Sequence, residues 1–64
     1  MRTIDPESLK LAKDNLPDNA PANQIEELAQ IIQDATADAQ LLYEADRAQY
    51  IQDAIDEYVG GLEG

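Results

Sequence analysis

Cysteine, histidine, tryptophan and phenylalanine are all absent from this chain of 64 residues. Without cysteine there is no disulfide and no thiolate metal site, and without histidine the chain lacks the commonest ligand for zinc or haem and the usual proton carrier near neutral pH. We therefore expect no metal and no cofactor. A domain of this length buries a limited fraction of its surface, so self-association is the remaining common source of extra stability.

Positive charge is also scarce. Four basic residues stand against 14 acidic ones, the net charge is −10 at pH 7, and from Asp14 onward the only cation is Arg47. Such a chain is repelled by nucleic-acid phosphates and by anionic lipid headgroups, and it is attracted to basic protein surfaces. The charge predicts no direct binding of nucleic acid and favours a basic protein as partner, with nucleic-acid-binding proteins as the leading case.

Long apolar runs are missing as well. No segment is apolar enough to span a bilayer, and the N-terminus lacks the charged-then-apolar pattern of a secretion signal. We expect no membrane association and a cytoplasmic location.

Catalytic groups are limited to carboxylates. A two-carboxylate hydrolase needs an acid and a base that face each other across a cleft in unequal environments, which a chain so small and rich in alanine does not promise. Ser8, the only serine, has no histidine partner, and the EF-hand spacing is absent. The sequence predicts that the protein is not an enzyme.

The residues that are present favour helices. Asp5-Pro6-Glu7 places a capping side chain before a proline at the first helical position, and a helix is predicted over about 6–15. The turn residues 17–21, which include two prolines, end it. No glycine or proline then occurs from Ala22 to Val59, and Gly60-Gly61 is expected to stop the last helix.

Two apolar series run through residues 22–62 at helical steps of three and four. They are Ile25, Leu28, Ile32, Ala35, Ala39 and Leu42, and then Ala48, Ile51, Ile55, Tyr58 and Leu62. At about 100° per residue, one straight helix would point the two series more than a quarter-turn apart. We expect a break near Thr36 to Gln40, capped by Thr36 or Asp38, with helices over about 22–37 and 40–59.

The fold class that follows is all-α, with a short N-terminal helix followed by a helical hairpin in a small three-helix bundle of one domain, 1–64. The alternative is one long helix that uses different faces in a dimer. An internal similarity favours the hairpin, because residues 29–35 and 48–54 are identical at six of seven positions. Chance similarity in a chain rich in Ala, Gln and Asp is the other explanation.

The acids form a spaced pattern. Glu27, Asp34 and Asp38 follow one another at steps of seven and four, and Asp46, Asp53 and Glu57 repeat those steps, with Asp56 nearby. Steps of seven and four residues rise about 10 Å and 6 Å along a helix, so the carboxylates form a ladder that resembles a row of nucleic-acid phosphates. The alternative is a solvated face that serves solubility alone.

Three tyrosines complete the candidate residues. Tyr43 and Tyr50 are candidates for partner anchors, while Tyr50 and Tyr58 are also suited to closing the core or a dimer seam. Arg47 is expected to pair with Glu44 or with an acid on a neighbouring helix.

These residues predict an acidic protein-binding regulator, a stoichiometric inhibitor or decoy that occupies the basic site of a nucleic-acid-handling protein. Two alternatives stay open. One is a homo-oligomeric assembly or adaptor protein, such as a homodimer, and the other is an antitoxin-like binder of a basic toxin.

Overall fold

The computed structural model describes residues 3–63, and within them the chain forms three α-helices and no strand. In chain order they are α1 (Pro6–Asp14), α2 (Ala22–Ala39) and α3 (Glu44–Glu63). The all-α prediction of a short helix followed by a helical hairpin is confirmed, and the alternative of one continuous helix does not occur.

The start of α1 is attached to α2 by a glutamine. Asp5 occupies the N-cap position and Pro6 the first helical position, but the Asp5 side chain makes no capping hydrogen bond, contrary to expectation. Its backbone N–H donates instead to Oε1 of Gln33 at 3.1 Å, and Nε2 of Gln33 donates to the Thr3 carbonyl at 3.3 Å. Gln33 therefore satisfies backbone groups that precede α1 and holds that segment against α2.

The break between α2 and α3 lies at residues 40–43, a few residues later than predicted. Thr36 does not cap a new helix, because its hydroxyl donates back to the Ile32 carbonyl at 2.8 Å, as threonine does inside a helix. Asp38 also lies within α2. The N–H groups of Leu41 and Leu42 reach back three residues, at 3.1 and 2.9 Å, so tightened turns close α2.

Gly60 and Gly61 do not stop α3, which continues to Glu63. Glycine ends a helix most effectively when it adopts a positive φ, and neither residue does. Without that conformation each glycine only weakens the helix, by about 1 kcal/mol relative to alanine, and α3 extends through both.

The core lies on α2. Leu28 and Ala29 are fully buried, and they cluster with Ala12 of α1 and Ile55 of α3. Helices α1 and α3 each pack against α2, and among the described helices they do not pack against each other. The molecule is consequently flat, with extents of 35 × 29 × 16 Å, and the α2–α3 hairpin keeps one side that α1 does not line.

The centre of this core gives a stability prediction. Leu28→Ala should cost about 2–5 kcal/mol, which is comparable with the whole stability of about 3–10 kcal/mol expected for a domain of this length. The variant should lose most of its helical circular dichroism at 25 °C. Leu41→Ala is the matched control, because Leu41 is 89% exposed and its loss should leave the melting curve unchanged. A normal melting curve for Leu28→Ala would contradict the assigned core.

The glycines give a prediction of the opposite sign. A Cβ atom at Gly60 or Gly61 would meet nothing within 4 Å, so alanine can replace either residue without a clash. Gly60→Ala and Gly61→Ala should each stabilise the fold by about 0.5–1 kcal/mol, measured by urea denaturation. The reverse change at exposed Ala48, which follows the first turn of α3, Ala48→Gly, should destabilise the fold by about 1 kcal/mol. Destabilisation by the alanine variants would argue against a helix through Gly61.

Candidate partner-binding groove

A groove of about 420 Å³ runs between α2 and α3 on the side of the hairpin that α1 does not line. We call it the acidic groove. Its lining consists of Ile31, Asp34, Ala35 and Asp38 from α2, and Tyr50, Asp53, Ala54 and Glu57 from α3.

The acidic groove combines an apolar floor with carboxylate edges. Ala35 is buried and Ile31 and Ala54 are half-buried, so these side chains form the floor. All four carboxylates are exposed. Two of them lie on α2 and two on α3, one helical turn apart in each case, because the members of each pair are four residues apart. The groove therefore offers apolar surface between two rows of negative charge.

The two sides of the acidic groove consist of equivalent positions. Every lining residue of α2 has a counterpart on α3 that lies 19 residues later, which is the offset between the two repeated segments 29–35 and 48–54. Ile31 corresponds to Tyr50, Asp34 to Asp53, Ala35 to Ala54 and Asp38 to Glu57. Since the two helices form a hairpin and run in opposite directions, the groove has an approximate two-fold axis across its middle.

Hydrogen bonds hold several of these carboxylates in place. Nε2 of Gln30 donates to Oδ1 of Asp34 at 3.2 Å, and the equivalent Nε2 of Gln49 donates to Oδ1 of Asp53 at 2.7 Å. Across the groove the Tyr50 hydroxyl donates to Oδ2 of Asp38 at 3.4 Å. An ionised carboxylate has about four acceptor sites, and each of these hydrogen bonds uses one of them and orients the group.

Tyr58 and Glu27 form a second contact between a tyrosine and a carboxylate, at the end of the hairpin away from the α2–α3 connection. Ile31, Ala54 and Glu57 also line a contiguous pocket of about 350 Å³ together with Tyr58. The Tyr58 hydroxyl hydrogen bonds to Glu27, and the ring packs against the core. Desolvation, followed by the negative charge of Glu27 and this hydrogen bond, raises the pKa of Tyr58 above its ordinary value of 10.0.

The structure thus brings together five of the nine residues that the sequence nominated for partner binding, namely Asp34, Asp38, Asp53, Glu57 and Tyr50. Glu27 is outside this set, but it contacts Tyr58, which lines the neighbouring pocket together with Glu57. Asp46 precedes Asp53 by seven residues and is exposed outside the lining, as is Asp56. Tyr43 is 85% exposed in the connection between α2 and α3, away from the groove.

Sequence reasoning missed the floor. Ile31, Ala35 and Ala54 carry no charge, so a search for chemical groups passes over them. The signal that could have found them was the internal repeat. Ala35 and Ala54 are the last residues of its two copies, and Ile31 aligns with Tyr50 at the one position where the copies differ.

Arg47 does not form the expected pair. It is half-buried, its Nε is buried without a hydrogen-bond partner, and within residues 3–63 it makes no ion pair with Glu44 or another acid. The reason is its position among the inward-facing residues of α3, four residues before Ile51, whereas Glu44 is exposed. Arg47, the one cation after Asp14, therefore forms no ion pair with the carboxylates of the groove.

The described part of the chain contains no group of three or more acidic side chains placed to hold a metal ion, and none of its helices is long and apolar enough to cross a membrane. The fold and the groove define a small three-helix acidic protein with an amphipathic, carboxylate-edged surface. The chain matches no protein-family model, no curated protein and no solved structure.

The Tyr58–Glu27 pair gives a pH prediction. Because the folded state holds the Tyr58 proton more tightly than the unfolded state does, this pair contributes stability below pH 10 that is lost as the pH rises through the raised pKa. Glu27→Gln should move the Tyr58 pKa down toward 10.0, and Glu26→Gln, one residue away and exposed, should leave it unchanged. Carbon-13 NMR of labelled tyrosine measures both. An unchanged Tyr58 pKa in Glu27→Gln would contradict the contact.

Proposed function

We propose that this chain is an acidic protein-binding regulator, a stoichiometric inhibitor or decoy that acts in the cytoplasm. Its partner is a protein with a basic, nucleic-acid-binding site. The carboxylates of the acidic groove bind the basic residues of that site in place of phosphates. The observation that carries the proposal is the convergence of Asp34, Asp38, Asp53 and Glu57, from two helices, on one groove.

The spacing of the carboxylates supports this proposal. Acids four residues apart on one helix are separated by about 6 Å along its axis, and the axes of packed helices lie about 8–10 Å apart. The groove therefore presents a compact array of four negative charges in two rows. Lysine and arginine bind carboxylates through short, charge-assisted hydrogen bonds, so a basic surface that grips phosphates has the chemistry to grip this array.

Solubility alone does not require this arrangement. Surface acids that serve solubility are commonly interspersed with lysine or arginine, since like charges four residues apart on a helix destabilise it by some tenths of a kcal/mol. Here Asp34 and Asp38, and Asp53 and Glu57, have that spacing on both sides of one groove. The chain maintains the repulsion beside an open apolar floor, which favours a role in binding.

A second candidate function, an assembly or adaptor protein, is favoured by one other observation. Leu41 is 89% exposed and Tyr43 is 85% exposed, so the connection between α2 and α3 projects apolar side chains into solvent. Such a tip could anchor a homodimer or another partner. The acidic groove itself is unsuited to self-association, because a second copy would bring four more carboxylates against it. An antitoxin-like role uses the same acidic logic with a basic toxin as target.

A pair of charge-reversal variants tests the proposed function. Asp53→Lys with Glu57→Lys reverses one side of the groove, whereas Glu26→Lys with Asp56→Lys makes the same change in net charge at exposed positions outside it. In pull-downs from native lysate at low salt, we expect the groove variant to lose its basic partners by a factor of about ten or more, and the control to retain them.

The salt dependence and the control decide the outcome. Retention by the unaltered chain should fall steeply as salt rises, because ion pairs at an exposed edge are screened. Equal losses of partners in the two double variants would mean that net charge, and not the groove, determines binding. Capture that is insensitive to salt would contradict binding through charge. Light scattering of the unaltered chain tests the assembly alternative, for which a stable dimer is expected.

A further inference from the structure

Resting on the proposed function, we propose that the occupant of the acidic groove is a single amphipathic, basic α-helix of the partner protein. Its apolar stripe would lie on Ile31, Ala35 and Ala54. Its lysine or arginine side chains would flank that stripe and reach the carboxylates of α2 on one side and those of α3 on the other.

The shape of the groove suits a helix. Two packed helices leave a channel between them that a third helix fills in small bundles. The lining extends from Ile31 to Asp38 on α2, about 10 Å or two helical turns. Alanine at both central floor positions removes the bulk that would hold a third backbone away. The hairpin is open here, since α1 packs on α2 and lines no part of the groove.

The chemistry of the floor favours a helix over an extended segment. Ile31, Ala35 and Ala54 offer no side-chain hydrogen-bonding group. An extended segment laid on them would lose water from backbone N–H and C=O groups without replacing those hydrogen bonds, which costs free energy for each group. A helix satisfies its own backbone, so it covers an apolar floor without that cost.

The charges of the described residues argue against a second copy as the occupant. The described part of the chain contains only Lys10, Lys13 and Arg47 as cations. Arg47 lies half-buried on α3, while α1, which carries both lysines, already packs its buried face against α2. A partner helix with cations on both flanks of an apolar stripe complements the groove, since long basic side chains cover apolar surface while their charged ends reach the edges.

The approximate two-fold axis adds a detail to this proposal. A helix in either direction meets equivalent carboxylates, because Asp34 corresponds to Asp53 and Asp38 to Glu57. The direction of the bound helix is therefore set where the α2 side and the α3 side of the groove differ most, which is at Ile31 and its counterpart Tyr50. The Tyr50 ring is 40% exposed and marks one end of the groove.

Two synthetic peptides of identical composition test the inference. In the first, leucine and alanine recur at helical spacing and lysines flank them, and in the second the order is scrambled so that no stripe forms. We expect the first to bind the nitrogen-15-labelled full chain at low salt at least tenfold more tightly than the second. Amide shifts should concentrate at Ile31, Ala35 and Ala54, and the peptide should gain helical circular dichroism on binding.

Variants of the floor and the edges sharpen the test. Ala54→Leu fills the floor and should weaken binding of the striped peptide at least tenfold, while Ala45→Leu, the same change at an exposed position of α3 outside the groove, should not. Should Ala54→Leu lose helicity, Asp53→Asn with Glu57→Gln replaces it, with Asp56→Asn and Glu26→Gln as its matched control. The edge variant should likewise weaken binding, and its control should not.

The outcomes separate this inference from the function on which it rests. Equal, salt-sensitive binding of the two peptides would overturn the helical occupant and leave an acidic protein-binding surface intact. Binding of neither peptide at low salt would contradict both, because the groove would then show no affinity for a cationic segment. Amide shifts confined to Leu41–Tyr43 would overturn the docking site.

Discussion

The apolar contact between α2 and α3 is the interaction on which the rest of the molecule depends. Ile55 of α3 lies in one buried cluster with Leu28 and Ile32 of α2, and this contact holds two acid-rich helices side by side. Their carboxylates repel one another, so without the contact the helices would separate. Burial of a leucine or isoleucine contributes about 1.5–3 kcal/mol, and mutual repulsion of exposed charges costs tenths of a kcal/mol per pair, which explains why the hairpin can carry so much charge.

The arrangement of α2 also explains the separation of core and groove. At about 100° per residue, Ala29 faces roughly opposite Ile31, so α2 can bury one side against α1 while the other side floors the groove. Leu28 lies between these directions and is fully buried among residues of both neighbours. A central helix with neighbours on two sides and an open third side is therefore the structural origin of the amphipathic surface.

Periodicity and turn chemistry made much of this fold predictable. Residues 22–59 contain no glycine or proline, but the change of apolar register within them predicted two helices. The two prolines in residues 17–21 predicted the boundary after the first helix. The exact break was not predictable, because the Thr36 hydroxyl can either cap a new helix or bond within an existing one. Here it bonds within α2, and Ala35 and Ala39 of that helix are buried. Gly60-Gly61 misled for a similar reason, since glycine permits a helix end without requiring one.

The candidate site was predictable only in part. Steps of four residues placed Asp34 and Asp38 on one side of the first helix and Asp53 and Glu57 on one side of the second, but which sides face each other depends on how the hairpin packs. Asp46 and Asp53 share a side of α3 by that same arithmetic, yet only Asp53 has residues of α2 opposite it in the groove. The contacts Tyr50–Asp38 and Tyr58–Glu27 join residues that are 12 or more positions apart, so no local sequence pattern predicts them.

The dual role of α2 has a consequence for the lifetime of the protein. Helices α2 and α3 build both the hydrophobic core and the acidic groove, so an occupant of the kind proposed would bind only the folded chain and would stabilise it. By mass action, an occupant at 100 times its dissociation constant adds about 2.7 kcal/mol to a fold of this size, a large share of its total stability. The abundance of such a chain in the cell would then follow the abundance of its partner, because the unoccupied form unfolds more often and is exposed to proteolysis.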